Sequence, residues 1–168
     1  MKIKNRLFLS LLLLSGLGFG QNKKEFREPF TLTLAVDSTQ YYKQEVLRSP
    51  YIPKDDILQI YPGEKLFIEA TIVNNQISSM EVVKENLHPD KTIGIDFKQN
   101  ADGRENEGMM LFVENPFDKT LKYEALIYIF GLEGWRETSI IPVRPKLSTV
   151  EMWPDVIITL VLHNWRLE

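Results

Sequence analysis

Between Gly108 and Pro145 the apolar positions fall into three runs, near 109–114, 121–130 and 137–143. The turn clusters Glu114–Lys119 and Gly131–Glu137 separate them. Apolar runs of this length, broken by Gly, Pro, Asn and Asp, are the pattern of consecutive antiparallel strands. The rhythm continues upstream. Phe30, Leu32, Leu34 and Val36 alternate with Thr31, Thr33, Ala35 and Asp37, the period of two that a half-buried strand requires. Leu66, Ile68, Ala70 and Ile72 repeat it, as do Ile93, Ile95 and Phe97. Shorter runs at 57–61 and 77–83 add two strands, and 156–167 closes the chain with a long one. Pro62-Gly63 and Asn74-Asn75 read as tight turns. Asp37–Arg48 is ambiguous: Asp37 with Gln40 resembles a capping box, and Tyr42 with Val46 has helical spacing, so a short helix is open there. Segments 99–107 and 146–155 read as polar loops. Pro142 and Pro145 mark the third central run as an edge strand.

Eight or nine brief strands without a long helical period predict an all-β fold. The expected form is an antiparallel β-sandwich of immunoglobulin-like type, with a β-barrel as the alternative. One feature breaks simple alternation. In the last run Val156, Ile158, Leu160 and Leu162 share one face, and Ile157, Val161, Trp165 and Leu167 the other. Leu126, Tyr128 and Phe130 likewise oppose Ala125, Ile127 and Ile129. A sheet with one wet face does not look like this. Either residues 38–56 fold across the outer face, or a partner or second copy covers it.

The first twenty residues change the picture of where the protein works. Lys2, Lys4 and Arg6 precede an apolar run from Leu7 to Phe19, and Gly18 and Gly20 sit at the −3 and −1 positions of a cut before Gln21. This predicts a cleaved export signal over 1–20, since the run is shorter than the about 20 residues that span a bilayer. Residues 21–29 (QNKKEFREP) are read as a flexible leader and 30–168 as one sandwich domain. With no cysteine in the chain, disulfides, thiolate nucleophiles, cysteine-based zinc sites and a lipid-anchored cysteine are excluded. The net charge is −3. Residues 1–20 hold three basic and no acidic residues, so their removal leaves −6. An acidic surface without a basic patch argues against nucleic acid, and membrane contact is expected only through the signal before cleavage.

Candidate chemistry is sparse. His88 and His163 are the two histidines. Neither has metal-ligand spacing to the other, and no Gly-x-Ser-x-Gly elbow is present. The stretch 96–107 (DFKQNADGRENE) resembles a calcium loop only in part. Aligning Asp102-Gly103 on the fifth and sixth positions puts Lys98 first and Met109 twelfth, so a hairpin turn is expected. Glu105, Glu107 and Glu114 offer carboxylates for a glycosidase pair, with no sequence sign of a cleft between them. Among the three tryptophans, Trp165 reads as packing. Trp135, in a hairpin loop between Glu133 and Arg136, and Trp153, in a loop before Pro154, are the candidate contacts for a ligand or partner. No catalytic residue, metal or cofactor is assigned.

The segment Thr138-Ser139-Ile140-Ile141-Pro142-Val143 runs on through Glu151, Trp153-Pro154 and the terminal Asn164-Trp165-Arg166. It resembles the C-terminal part of a family of small exported bacterial proteins of unknown function. The resemblance covers about the last third of the chain, and Ile140 and Ile141 stand where members carry cysteine. It implies an envelope location and no mechanism. The expected function is therefore a non-enzymatic binding or accessory module, periplasmic or secreted, with a protein or cell-wall partner and with homo-oligomerisation left open. A carboxylate-dependent hydrolase and a structural subunit of an envelope assembly are the alternatives.

Overall fold

A computed structural model describes residues 25–54 and 56–168. The expected export signal over 1–20 lies outside the described residues. Among the described residues thirteen strands follow in order: β1 Phe26–Arg27, β2 Phe30–Asp37, β3 Gln40–Val46, β4 Ser49–Pro50, β5 Leu58–Ile60, β6 Lys65–Val73, β7 Gln76–Val83, β8 Thr92–Asp102, β9 Glu105–Glu114, β10 Leu121–Ile129, β11 Arg136–Thr138, β12 Ser148–Trp153 and β13 Ile157–Leu167. Every pairing among them is antiparallel. A four-stranded sheet, β11-β10-β13-β5, faces a five-stranded sheet, β12-β9-β8-β6-β7. The fold is thus an all-β sandwich, and its sheets do not close into a barrel.

The alternation read from the sequence places the main core. Leu66, Ile68 and Ala70 of β6, Ile93, Ile95 and Phe97 of β8, and Met109, Leu111 and Val113 of β9 face inward from one sheet. Leu58 and Ile60 of β5, Ala125 and Ile127 of β10, and Leu160 and Leu162 of β13 meet them from the other. Each Leu, Ile, Val, Phe or Met among them contributes about 1.5–3 kcal/mol by leaving water. The turns are those the sequence marked. Asn74 and Asn75 both take positive φ between β6 and β7, and Gly63, at φ 94°, follows Pro62 with Glu64 N–H donating to Tyr61 O.

The apolar outer face of the four-stranded sheet is covered from within the chain, in part by the segment expected. The β2–β3 hairpin forms a third layer, with β3 from the expected segment 38–56 and β2 from residues before it. Phe30, Leu32, Leu34, Tyr42 and Val46 pack on Tyr61, Tyr128, Phe130, Val156 and Ile158. No helix forms at 37–48. The capping-box residues close the hairpin instead, with Asp37 accepting from the Thr39 hydroxyl and from the Thr39 and Gln40 N–H groups. The faces of β13 also need correction. Register shifts opposite Tyr128/Ile129 and Lys122/Glu124, the second with Asn164 at φ 53°, insert extra residues. Each bulge reverses which parity points inward. Ile157, Leu160, Leu162, Trp165 and Leu167 therefore all join the main core, and Trp165 is not on the outer face.

Four local expectations change with them. Residues 26–27 of the supposed leader are strand β1, paired with Arg27↔Ser49 and Phe26↔Pro50. The run 137–143 is ordered as strand only at 136–138, an edge as the prolines required. Beyond it the chain crosses to the other sheet, with Val143 bridging Leu121. The polar stretch 99–107 is the paired end of the β8–β9 hairpin. The supposed loop 146–155 contains β12, which pairs with β9 from Ser148↔Glu114 to Trp153↔Met109.

Candidate functional site

The residues singled out from sequence fall at separate places. Glu133 and Trp135 lie exposed in the connection from β10 to β11, and the exposed Arg136 is the first residue of β11. The Trp135 indole is 45% exposed. It stands edge-on to Tyr128, ring centroids 5.5 Å apart, so one side is held by the aromatic layer beneath the β2–β3 hairpin while the other meets water. Trp153 is elsewhere. It ends strand β12 rather than lying in a loop, and it is half-buried against the main core. Its Nε1–H donates to Thr138 Oγ1 at 3.0 Å, which ties β12 of one sheet to β11 of the other. That arrangement makes Trp153 a seam residue.

The carboxylates weighed from sequence are spread along the strands. Asp96 and Asp102 lie six residues apart along β8, about 20 Å at the rise of an extended chain, so they do not converge on one ion. Glu105 and Glu114 stand at opposite ends of β9. Glu107 is exposed with them, on strand rather than across a cleft. His163 is half-exposed on β13 opposite Glu124.

His88 has a partner that sequence reasoning missed. Its Nδ1–H donates to Glu69 Oε2 at 2.7 Å, and Lys91 Nζ pairs with Glu69 Oε1. The hydrogen bonds from Lys91 and then His88 hold the Glu69 carboxyl below its ordinary range. Among the described residues no hydroxyl hydrogen-bonds this imidazole, so the cluster lacks the nucleophile of a hydrolytic triad.

The most elaborately built polar site was also missed. Arg27 of β1 is 1% exposed. Its Nε–H donates to Glu64 Oε1 at 2.9 Å, Nη1 to Ser49 Oγ at 2.9 Å, and Nη2 to Gln59 O at 2.6 Å and Glu64 Oε2 at 3.3 Å. The guanidinium carbon lies 4.7 Å from the Tyr51 ring centroid and 5.0 Å from that of Tyr61. The Tyr61 N–H also donates to Glu64 Oε2, at 2.8 Å. An open depression of about 410 Å³ adjoins this slot, bordered by Glu28, Phe30, Pro62, Gly63 and Lys65. The sequence carried one usable sign: a charged residue between Phe26 and Pro29, upstream of a tyrosine–carboxylate turn at 61–64. Nothing in a charged stretch reveals which member will be buried.

Comparison with protein families, with curated proteins and with solved structures finds no match to this chain.

Proposed function

We propose that this chain is an exported, non-enzymatic β-sandwich acting as a binding or accessory module in the periplasm or outside the cell, with a protein or cell-wall component as its ligand. The observation that carries this reading is Trp135. A half-exposed indole, braced on Tyr128 and flanked by the exposed charges of Glu133 and Arg136, sits on the connection between two strands of a rigid sheet. Loops on rigid scaffolds are where recognition is placed, and tryptophan brings a large apolar face with a polar edge. Export is supported by the basic and then apolar start of residues 1–20, and by the resemblance of the last third to small exported bacterial proteins.

Affinity capture from native envelope with the wild-type chain and with Trp135→Ala tests the contact. Loss of a captured species with the variant, at unchanged melting temperature, is the expected result. Identical captured sets remove Trp135 as the contact. A second reading, a structural subunit of an envelope assembly, rests on edge strand β12. It pairs on one side only and presents Val150 (46% exposed) and Met152 (62% exposed). Sedimentation that stays monomeric at high concentration counts against it.

A further inference from the structure

The slot around Arg27 is a guanidinium receptor whose walls come from residues 49–64, among them strand β5 and the turn into β6, while its occupant belongs to a two-residue strand. Ser49 comes from β4, Gln59 from β5 and Glu64 from the turn into β6, with Tyr51 and Tyr61 covering the guanidinium. Glu64 is aimed independently of its partner, because Tyr61 N–H holds Oε2. The other attachments of β1 are few. It pairs two residues with β4, Glu25 O accepts from Tyr51 N–H, and Phe26 lies 4.4 Å from the Arg48 guanidinium. The ion pairs of Glu25 with Lys84 and of Glu28 with Arg48 are surface pairs at 3.9 Å. Pro29 then separates β1 from β2, an extended junction with no N–H to donate. An open depression borders the slot, in which Arg27 itself is 1% exposed.

A short strand inserted by one side chain and joined through a proline is an element that two copies can trade at low cost. We propose that β1 exchanges between molecules: residues 25–28 of one copy enter the Arg27 slot of a second copy and pair with its Ser49–Pro50. The occupant follows from the chemistry of the slot. A carboxylate fork with aromatic faces takes a planar guanidinium and discriminates against an ammonium, which has neither the fork nor the stacking surface. It also requires an extended chain to pair with β4. A second copy supplies that segment unaltered. This interaction is independent of the Trp135 contact.

Two variants with complementary lesions test it. The Arg27→Ala chain keeps the slot and lacks the arginine, while the Glu64→Gln chain keeps the arginine and has a weakened slot. Mixed, they are expected to form a heterodimer of about twice the monomer mass in sedimentation velocity and native mass spectrometry, and neither forms it alone. The peptide EFREPF, residues 25–30, is expected to displace the heterodimer and to raise the melting temperature of the Arg27→Ala chain. The same peptide with Ala or Lys in place of the arginine should do neither. A mixture that stays monomeric overturns the proposal, as does equal action of the alanine peptide. Where Arg27→Ala does not fold, wild-type chains in two differently labelled pools replace the variants: energy transfer growing after mixing supports exchange, and its absence overturns it.

Discussion

Replacing Arg27 by alanine probes how the N-terminal strand is held, and the size of the effect can be worked from the contacts. The guanidinium makes four hydrogen bonds of 2.6–3.3 Å, to Glu64 twice, Ser49 and Gln59. A bond to a charged group is worth about 1.5–3 kcal/mol, but four bonds on one side chain do not add, and the cost of desolvating Arg27 offsets much of their sum. The better guide is that removing one member of a buried ion pair costs about 3–5 kcal/mol, because the other charge is left behind. Glu64 stays behind at 11% side-chain exposure, still accepting from Tyr61 N–H. That residual partner places the expected loss near the lower end, about 3–4 kcal/mol. At roughly 3 °C per kcal/mol for a domain of this size, the melting temperature falls by about 10 °C. Arg27→Lys keeps the charge without the fork or the stacking and recovers less than half of the loss. The double variant Arg27→Met/Glu64→Gln lies closer to wild type than Arg27→Met alone, since no bare carboxylate remains. Urea unfolding followed by tryptophan fluorescence, arranged as a double-mutant cycle, measures all of these. An Arg27→Ala loss under about 1 kcal/mol, or strict additivity of the two sites, would refute the assignment of a buried, coupled pair.

Four other expectations follow from local geometry. The Asp37 carboxyl is pulled down to about 2 by the Thr39 hydroxyl, the Thr39 N–H and the Gln40 side chain. Its contribution is therefore complete above the unfolded-state value near 4 and is lost as pH falls toward 2; carbon-detected NMR titration of Asp37 should show a midpoint near 2, and one near 4 sinks the turn assignment. Tyr123 is stacked on Trp165 at 4.7 Å, and its buried hydroxyl has no hydrogen-bond partner among the described residues. Tyr123→Phe should accordingly leave the melting temperature unchanged or raised, and a loss above about 1 kcal/mol contradicts this. Burial, with the Glu151 charge second, raises the Tyr123 phenol, so ultraviolet titration of the native protein should leave at least one tyrosine protonated until unfolding. Gly108→Ala places a Cβ 3.0 Å from Trp153 O at φ 126°, and a cost of about 1–3 kcal/mol is expected in the same urea assay.

The sandwich was legible because inward positions on β6, β8, β9 and β10 are apolar at every second residue, and the turns on either side of β6 carry Pro62-Gly63 and Asn74-Asn75. What escaped notice did so for identifiable reasons. Strand β12 carries its apolar residues Val150 and Met152 outward and Thr149 and Glu151 inward. There Glu151 Oε1 accepts the Ile141 N–H. An inverted face between Pro145 and Pro154 reads as loop. Strand β3 buries Tyr42 and Val46 among Gln and Glu, and the i, i+4 separation of those two is equally a separation on one face of a strand. The two bulges in β13 change parity without any Gly or Pro; Asn164 is their only local sign. Trp135 was placed correctly in an exposed connection because glycine and charge surround it. Arg27 was not found, since its burial depends on partners 22 to 37 residues away.

These failures share a physical origin that bears on function. Periodicity reports whether a residue faces one core, whereas this chain has two apolar layers, the main core between the sheets and the aromatic layer under the β2–β3 hairpin. The hairpin is attached to the sandwich by more than apolar contact. The Gln99 side-chain amide donates to Ala35 O and accepts from Ala35 N–H at 2.8 and 2.9 Å, mimicking a strand pairing between β2 and β8. Tyr61 lies where both attachments meet: its ring packs edge-on with Phe30 of the hairpin, 6.0 Å between centroids, and also flanks the Arg27 guanidinium. Withdrawal of β1 from its slot therefore uncovers one face of a ring that also supports the hairpin. The two events should be coupled, in keeping with cooperative units that open together. Hydrogen exchange on the wild-type chain and on Arg27→Lys checks this: amides of β2 and β3 should lose protection in the lysine variant, while those of β8 and β9 in the main core keep theirs. Unchanged β2–β3 protection would mean that the slot and the third layer are energetically separate.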